Sequence, residues 1–297
     1  MRIVSLVPSA TEILFALGAG DEVIAVTHEC DHPPEAQELP AATHDRLPAD
    51  LGPAEIDAAV RERTAAGESI YGLDEELLAE LEPDLIVTQA LCDVCAVSFD
   101  DVAALARRLD PQPQVVALDS HTLGEVLGDV GTLARATGRA AAGAALVEAA
   151  AIRIDRVREA VKHAERPGVA ALEWLDPVYV AGHWIPQLIE YAGGLDVLGL
   201  AGEPSEPRTW EEVAAAGPEV VVVMPCGYGA GRALAEAEAF ADRLAALGAR
   251  EIAAVDAAAY FSRPGPRLVD GLEVLGHLLH PGLVPEPEAA TRALPLT

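Results

Sequence analysis

The sequence predicts an α/β fold: two Rossmann-like α/β lobes joined by one long α-helix, with a ligand cleft between the lobes. Three observations predict it. Short apolar runs of strand type alternate with segments of helical period, the signature of βαβ units and parallel pairing. An Ala-rich segment with Arg and Glu at helical spacing fills 139–165, and neither Gly nor Pro interrupts it between Gly143 and Pro167. The pattern before that segment restarts after it.

Taken in order, the first lobe covers residues 1–138. Ile3–Val7 reads as a strand that Pro8 ends. Ser9-Ala-Thr-Glu12 reads as a capping box opening a helix through Leu17, which Gly18 and Gly20 stop. Val23–Val26 is the next strand. Residues 33–70, rich in Pro, Ala and Asp, read as mostly irregular with one helix near 53–64. A helix at Asp74–Leu81, a buried strand ending at Gln89, a helix at Val102–Arg108, a strand at Val115–Leu118 and a helix at Leu123–Ala136 follow. The connecting helix, 139–165, spans roughly 30 Å or more at 1.5 Å per residue. The second lobe, 166–297, holds strands at Val169–Trp174, Val220–Met224 and Ile252–Val255, with helices at Pro186–Tyr191, Ala233–Leu247 and Leu268–Leu279.

The halves resemble each other. Pro8-x-x-x-Glu12 and Pro186-x-x-x-Glu190 each open a helix that ends in glycines and then an Asp, Asp21 or Asp196. Pro83-Asp84 and Pro218-Glu219 each start a buried strand that a cysteine follows, Cys92 or Cys226.

Composition excludes whole function classes. The 297 residues carry a net charge of −28, which repels phosphate backbones and anionic lipid, so nucleic acid is not an expected partner. No apolar run of about 18 residues exists, so no membrane span is expected. Lys162 is the single lysine, within an Arg/Glu-rich stretch, and no G-x-x-x-x-G-K loop is present. Cys226-Gly-Tyr-Gly-Ala-Gly231 lacks the G-x-G-x-x-G spacing of a dinucleotide loop. Neither a G-x-S-x-G elbow nor an H-E-x-x-H helix occurs. No secretory signal is legible ahead of the first strand, so the chain as it stands reads as cytoplasmic, and as a cell-envelope protein if a leader has been removed.

Ligands of open α/β sheets sit at the carboxyl ends of the strands, and those loops hold the candidate chemistry. His28, Glu29 and Cys30 follow the second strand; Cys92 and Cys95 follow the strand that ends at Gln89; Cys226 follows Met224. Thiols and imidazoles suit a soft or borderline metal ion, with His28, Cys30, Cys92 and Cys95 as the candidate ligands. Buried thiols without a role and a redox pair are the alternatives for the C-x-x-C. The chain is 4% aromatic, yet Trp174, Tyr179, Trp184, Tyr228, Tyr260 and Phe261 all fall at or after expected strand ends, as a ligand wall requires. His183 and Arg263 stand beside them, Arg263 as a clamp for an anionic or amide edge.

Ile3-Val-Ser-Leu-Val-Pro-Ser-Ala-Thr-Glu12, Gly18-x-Gly20-Asp21, Pro83-Asp84-Leu-Ile-Val, Ile189-Glu190-Tyr-Ala-Gly-Gly194 and Phe261-Ser-Arg-Pro-Gly-Pro-Arg267 together resemble the cobalamin-binding proteins of ABC importers. The resemblance covers nearly the whole chain and extends to siderophore- and haem-binding members. It implies a non-enzymatic solute-binding protein that closes on a corrinoid or related metal chelate, with cobalamin as ligand and an ABC permease as partner. It places Pro8, Ser9, the loops after Val26 and Gln89, Trp184 and the Tyr260–Arg263 stretch around the ligand. It also implies acidic docking residues, with Asp74 or Glu75 and Glu206 or Glu211 as candidates. The cysteine and histidine set at 28–32, 92–95 and 226 departs from the exported cobalamin binders, and a Cys/His metal or redox protein on the same scaffold is the alternative reading.

Overall fold

The computed structural model describes residues 1–48, 51–91 and 97–289, and the backbone of 294 and 295. The chain divides into two compact units, unit 1 from Met1–Ser120 with Glu125–Val147, and unit 2 from His121–Gly124 with Glu148–Thr297. Unit 1 runs β1 (Ile3–Ser5), α1 (Pro8–Ala16), β2 (Val23–Val26), β3 (Thr43–Asp45), α2 (Pro53–Ala65), β4 (Tyr71–Leu73), α3 (Glu75–Leu81), β5 (Leu85–Gln89), α4 (Phe99–Ala106), β6 (Gln114–Leu118) and α5 (Leu123–Ala136). The long helix α6 (Ala140–Val161) follows. Unit 2 runs β7 (Gly168–Leu175), β8 (Val178–Val180), α7 (Ile185–Tyr191), β9 (Leu195–Asp196), β10 (Glu206–Pro207), α8 (Trp210–Ala215), β11 (Val220–Val223), α9 (Ala230–Ala239), α10 (Ala241–Ala246), β12 (Glu251–Ala254), α11 (Ala257–Tyr260), α12 (Leu268–Leu279) and β13 (Leu294–Pro295).

In unit 1 the sheet order is β2-β1-β5-β6, all parallel. Parallel strands are covered on both faces and therefore read as continuous apolar runs. That is why Leu-Ile-Val-Thr-Gln in β5 is buried at every position. Asp84 fixes the register at its edge by accepting the Arg2 backbone N–H at 2.7 Å. One face is covered by α1 and α5, whose Ile13, Leu14, Val130 and Leu133 pack on Ile3, Val23 and Val87. The other face packs Val4, Ala25 and Ile86 against Leu78, Val102 and Leu105. Each such fully buried aliphatic side chain contributes about 1.5–3 kcal/mol.

The helix α1 corrects the expected capping box. It begins at Pro8, with Val7 as its N-cap and no side-chain cap. Proline fits the first helical turn because its φ is already helical and the missing N–H has no partner to lose. Ser9 thus lies inside the helix, and its buried Oγ has no hydrogen-bond partner.

Residues 33–70 are more ordered than their composition suggests. They supply β3, which pairs antiparallel with β4 in a separate two-stranded ribbon, Asp45 opposite Tyr71.

In unit 2 the order is β10-β8-β7-β11-β12-β13, with β7, β11 and β12 parallel and β9 beside the start of β7. The expected single helix at 233–247 is two, α9 and α10, meeting at Phe240. The helix expected over 139–165 is shorter, α6 ending at Val161, and the boundary between the units falls within it, after Val147. Just before its first turn, Arg139 bonds Glu22 of unit 1 at 2.6 Å. Towards its far end, Arg153 binds Asp270 and both Glu273 oxygens of unit 2 at 2.5–2.9 Å.

Candidate functional site

In each sheet the strand order reverses beside the first strand, between β1 and β5 in unit 1 and between β7 and β11 in unit 2. Loops at such a switch point leave a crevice at the carboxyl ends of the strands.

On unit 1 the loop after β2 is held by threonines. Thr27 and Thr43 share a 2.8 Å hydroxyl contact, and Thr43 Oγ1 accepts the His28 backbone N–H at 3.1 Å. The same hydroxyl lies 2.6 Å from His28 Nδ1. The imidazole packs edge-on against Tyr71, with ring centroids 5.3 Å apart. Its Nε2 lies 3.5 Å from Glu29 Oε1 and 3.4 Å from Asp45 Oδ1. Both nitrogens of His28 therefore face protein groups.

Cys30 turns the other way. It belongs to the apolar core, and its Sγ meets Thr11 Oγ1 on α1 at 3.1 Å. The expectation that Cys30 joins His28 as a metal ligand is corrected: among the described residues, His28 groups with Glu29 and Asp45. A small thiol in an apolar pocket behaves as a hydrophobe. Cys92 and Cys95 lie outside the described residues. Pro8 is half-buried at the start of α1.

On unit 2, Cys226 follows β11 and is exposed. Its backbone N–H bonds the Glu173 carbonyl of β7 at 3.0 Å. The Glu173 carboxylate accepts the Ser205 hydroxyl, and the Gly227 N–H reaches Ser262 Oγ at 3.2 Å. Asp256 caps α11 through the Ala259 N–H at 2.9 Å, setting the path into Tyr260–Arg263. Tyr260 and Arg263 are half-buried.

Three expected wall residues are packed inside unit 2. Trp184 is 4% exposed, and its indole N–H donates to the Phe261 carbonyl at 2.8 Å. Phe261 is 1% exposed. Tyr228 is buried edge-on against Trp174, with Arg232 over its ring at 3.6 Å and bonded to its hydroxyl. Large aromatics near strand ends fill the core as readily as they face a ligand, and periodicity alone does not separate the two.

His183 precedes Trp184 and stacks on it at 5.6 Å. It holds a left-handed φ of 51°, and its Nδ1 is buried without a hydrogen-bond partner. Burial, with His121 at 5.8 Å as the lesser cause, pushes its pKa below the ordinary histidine value. Neutral imidazole is thus its favoured form.

Thr43, Asp45 and Tyr71 escaped the sequence reading because three-residue strands lie below the length at which alternation can be recognised. His121 lies in the short loop between β6 and α5, where no other histidine or cysteine stands to single it out. Of the acidic docking candidates, Asp74 caps α3, Glu75 pairs with Arg108, and Glu206 pairs with Arg208. Glu211 is exposed in the first turn of α8.

Two α/β units connected by one continuous helix define the class of solute-binding proteins rather than that of an enzyme. The chain belongs to the periplasmic binding protein family, whose sequence profile matches residues 3–259. A vitamin B12-binding protein of Vibrio cholerae is 24% identical over 276 residues, which are 92% of this chain and 86% of that protein. The crystal structure of the periplasmic vitamin B12-binding protein BtuF of Vibrio cholerae superposes with a TM-score of 0.68 at 21% identity, covering 94% of this chain and 96% of that one. The periplasmic haem-binding protein RhuT from Roseiflexus sp. RS-1, in its apo form, gives 0.68 at 26% identity, covering 94% and 98%. The family match favours binding over the redox alternative. Among the described residues no helix is long and apolar enough to cross a membrane.

Proposed function

We propose that this protein captures a metal tetrapyrrole, a corrinoid of the cobalamin type first, in the cell envelope and hands it to an ABC permease. The similarity to a vitamin B12-binding protein over 92% of this chain carries this reading. The residues suited to contact it stand at the carboxyl-end loops of each unit: Pro8 and the loop after β2 on unit 1, and Cys226, Tyr260 and Arg263 on unit 2. Ser9 and Phe261, each 1% exposed, are set back in the core, which corrects their expected place at the ligand. A flat macrocycle needs broad apolar contact and a few polar anchors at its rim, and Arg263 is suited to its amide or carboxylate edge. Haem is the second reading, favoured by the 26% identity to a haem-binding protein.

Both chelates offer an axial position to an imidazole. His28 has both nitrogens turned to Thr43, Glu29 and Asp45. His183, kept neutral by burial, is the better donor on this reading.

Titration of the purified protein with aquocobalamin and, separately, haemin tests the proposal. One equivalent of one chelate should remain bound through gel filtration, with shifted visible bands. His183→Asn should abolish the shift and leave weaker binding. Neither chelate being retained would sink the reading; retention with an unshifted spectrum would remove only the axial histidine.

A further inference from the structure

We propose that His28, Glu29 and Asp45 form a divalent-cation site of zinc type on unit 1, separate from any metal carried by the ligand. Carboxylate clusters are common on a chain with 48 acidic residues, and the two carboxylates here are 43% and 56% exposed. The histidine distinguishes this group. Its Nε2 has no solvent-accessible surface and no hydrogen-bond partner, although 21% of the side chain is exposed. That nitrogen is aimed between the two carboxylates.

The distances fit an ion. A tetrahedral zinc about 2.0–2.1 Å from its ligands separates them by about 3.3–3.4 Å. Here Nε2 lies 3.5 Å from Glu29 Oε1 and 3.4 Å from Asp45 Oδ1, and all three donor atoms lie within 4.8 Å of one another.

The surroundings are those of a supported ligand. A metal-bound histidine normally fixes its second nitrogen on an oxygen, which orients the ring. Nδ1 does so on Thr43 Oγ1 at 2.6 Å, Thr43 is itself held by Thr27, and Tyr71 packs on the ring. The β3–β4 ribbon carries Thr43, Asp45 and Tyr71 together, with Asp45 directly opposite Tyr71. Two carboxylates and one neutral imidazole balance a divalent charge, and the open side leaves the fourth position to water. The protein's net charge of −28 concentrates cations near the site. The ion would tie the loop after β2 to the ribbon. This inference does not depend on which chelate the protein carries.

The test uses the full chain, freed of metal by chelator dialysis. Zn2+ is titrated calorimetrically, and Co2+ is titrated by absorption because its visible bands report tetrahedral geometry. One equivalent should bind. His28→Ala and Asp45→Asn should each weaken binding at least about tenfold. Asp45→Asn is nearly isosteric and exposed, so it remains informative if the histidine variant folds poorly. His163→Ala, in the exposed turn just after α6, should change nothing. Absence of saturable uptake would overturn the proposal. So would uptake that survives Asp45→Asn but is lost when Cys92 and Cys95 are both changed to Ser.

Discussion

Units 1 and 2 use the same opening and furnish it differently. In unit 1, β1 leads directly into α1 and then β2. In unit 2, the antiparallel β8 comes between β7 and α7, and the returning β9 is two residues long. Both α1 and α7 carry proline in the first turn, and each is followed by a glycine at positive φ, Gly18 at 74° and Gly193 at 85°. The added strand changes the neighbourhood of the loop that follows. His28, in the loop after β2, faces the ribbon among hydroxyl and carboxylate partners, whereas His183 is pressed between Trp184 and His121. A loop with polar partners can hold an ion, and a loop packed on aromatics keeps its imidazole neutral.

The largest test of that contrast is Trp184→Ala. With the indole buried and its N–H satisfied by Phe261, truncation should cost about 3–5 kcal/mol in a urea unfolding experiment. A loss under about 1 kcal/mol would mean that Trp184 turns outward in solution and serves the ligand directly.

The glycine pair comes next. An added Cβ at Gly18 meets nothing within 4 Å, whereas at Gly193 it would lie 2.7 Å from His280 and 2.9 Å from Val161. Gly18→Ala should cost only the left-handed backbone penalty, about 1–2 kcal/mol. Gly193→Ala should add about 1–3 kcal/mol of overpacking. Equal losses would show that the two helix ends are alike after all.

A smaller effect concerns pH. The native pKa of His183 is depressed, so the unfolded chain takes up its proton first as the pH falls below about 6.5. The stability it contributes is complete above that value and is lost on further acidification towards the native pKa. His183→Asn, which tolerates φ 51°, should flatten the fall in melting temperature between pH 7 and 5. The buried carboxyls Asp196 and Glu236, both raised by desolvation, act in the opposite sense. Only the difference between variant and parent therefore isolates the histidine, and parallel curves would assign the slope elsewhere. Least of all should Cys226→Ser matter. Its side chain is exposed, and the melting midpoint should move by no more than about 0.5 kcal/mol allows.

Much of the scaffold was legible without coordinates. Buried parallel strands such as Leu85–Gln89 and Val220–Val223 announce themselves because both faces are covered, and α6 because nothing breaks its run. Pro8 and Pro186 marked two helix starts, although the Ser9 cap inferred beside the first does not form. The ribbon was hidden: β3 and β4 lie 26 residues apart, from Thr43↔Leu73 to Asp45↔Tyr71, with only three residues each.

The sequence by itself determined the α/β alternation, the place of the long helix and the strand ends at which donors gather. These follow from apolar periodicity and from backbone rules that act over a few residues. Tertiary structure alone decided the direction each of those side chains takes. Cys30 and His28 are two residues apart, yet one enters the core beside Thr11 and the other meets Asp45 from the distant ribbon. Trp184 and His183 are adjacent, yet the indole is sealed by Phe261 while the imidazole is only half-buried. Such choices depend on which chain segments, far apart in sequence, arrive at the same loop, and no local pattern encodes that.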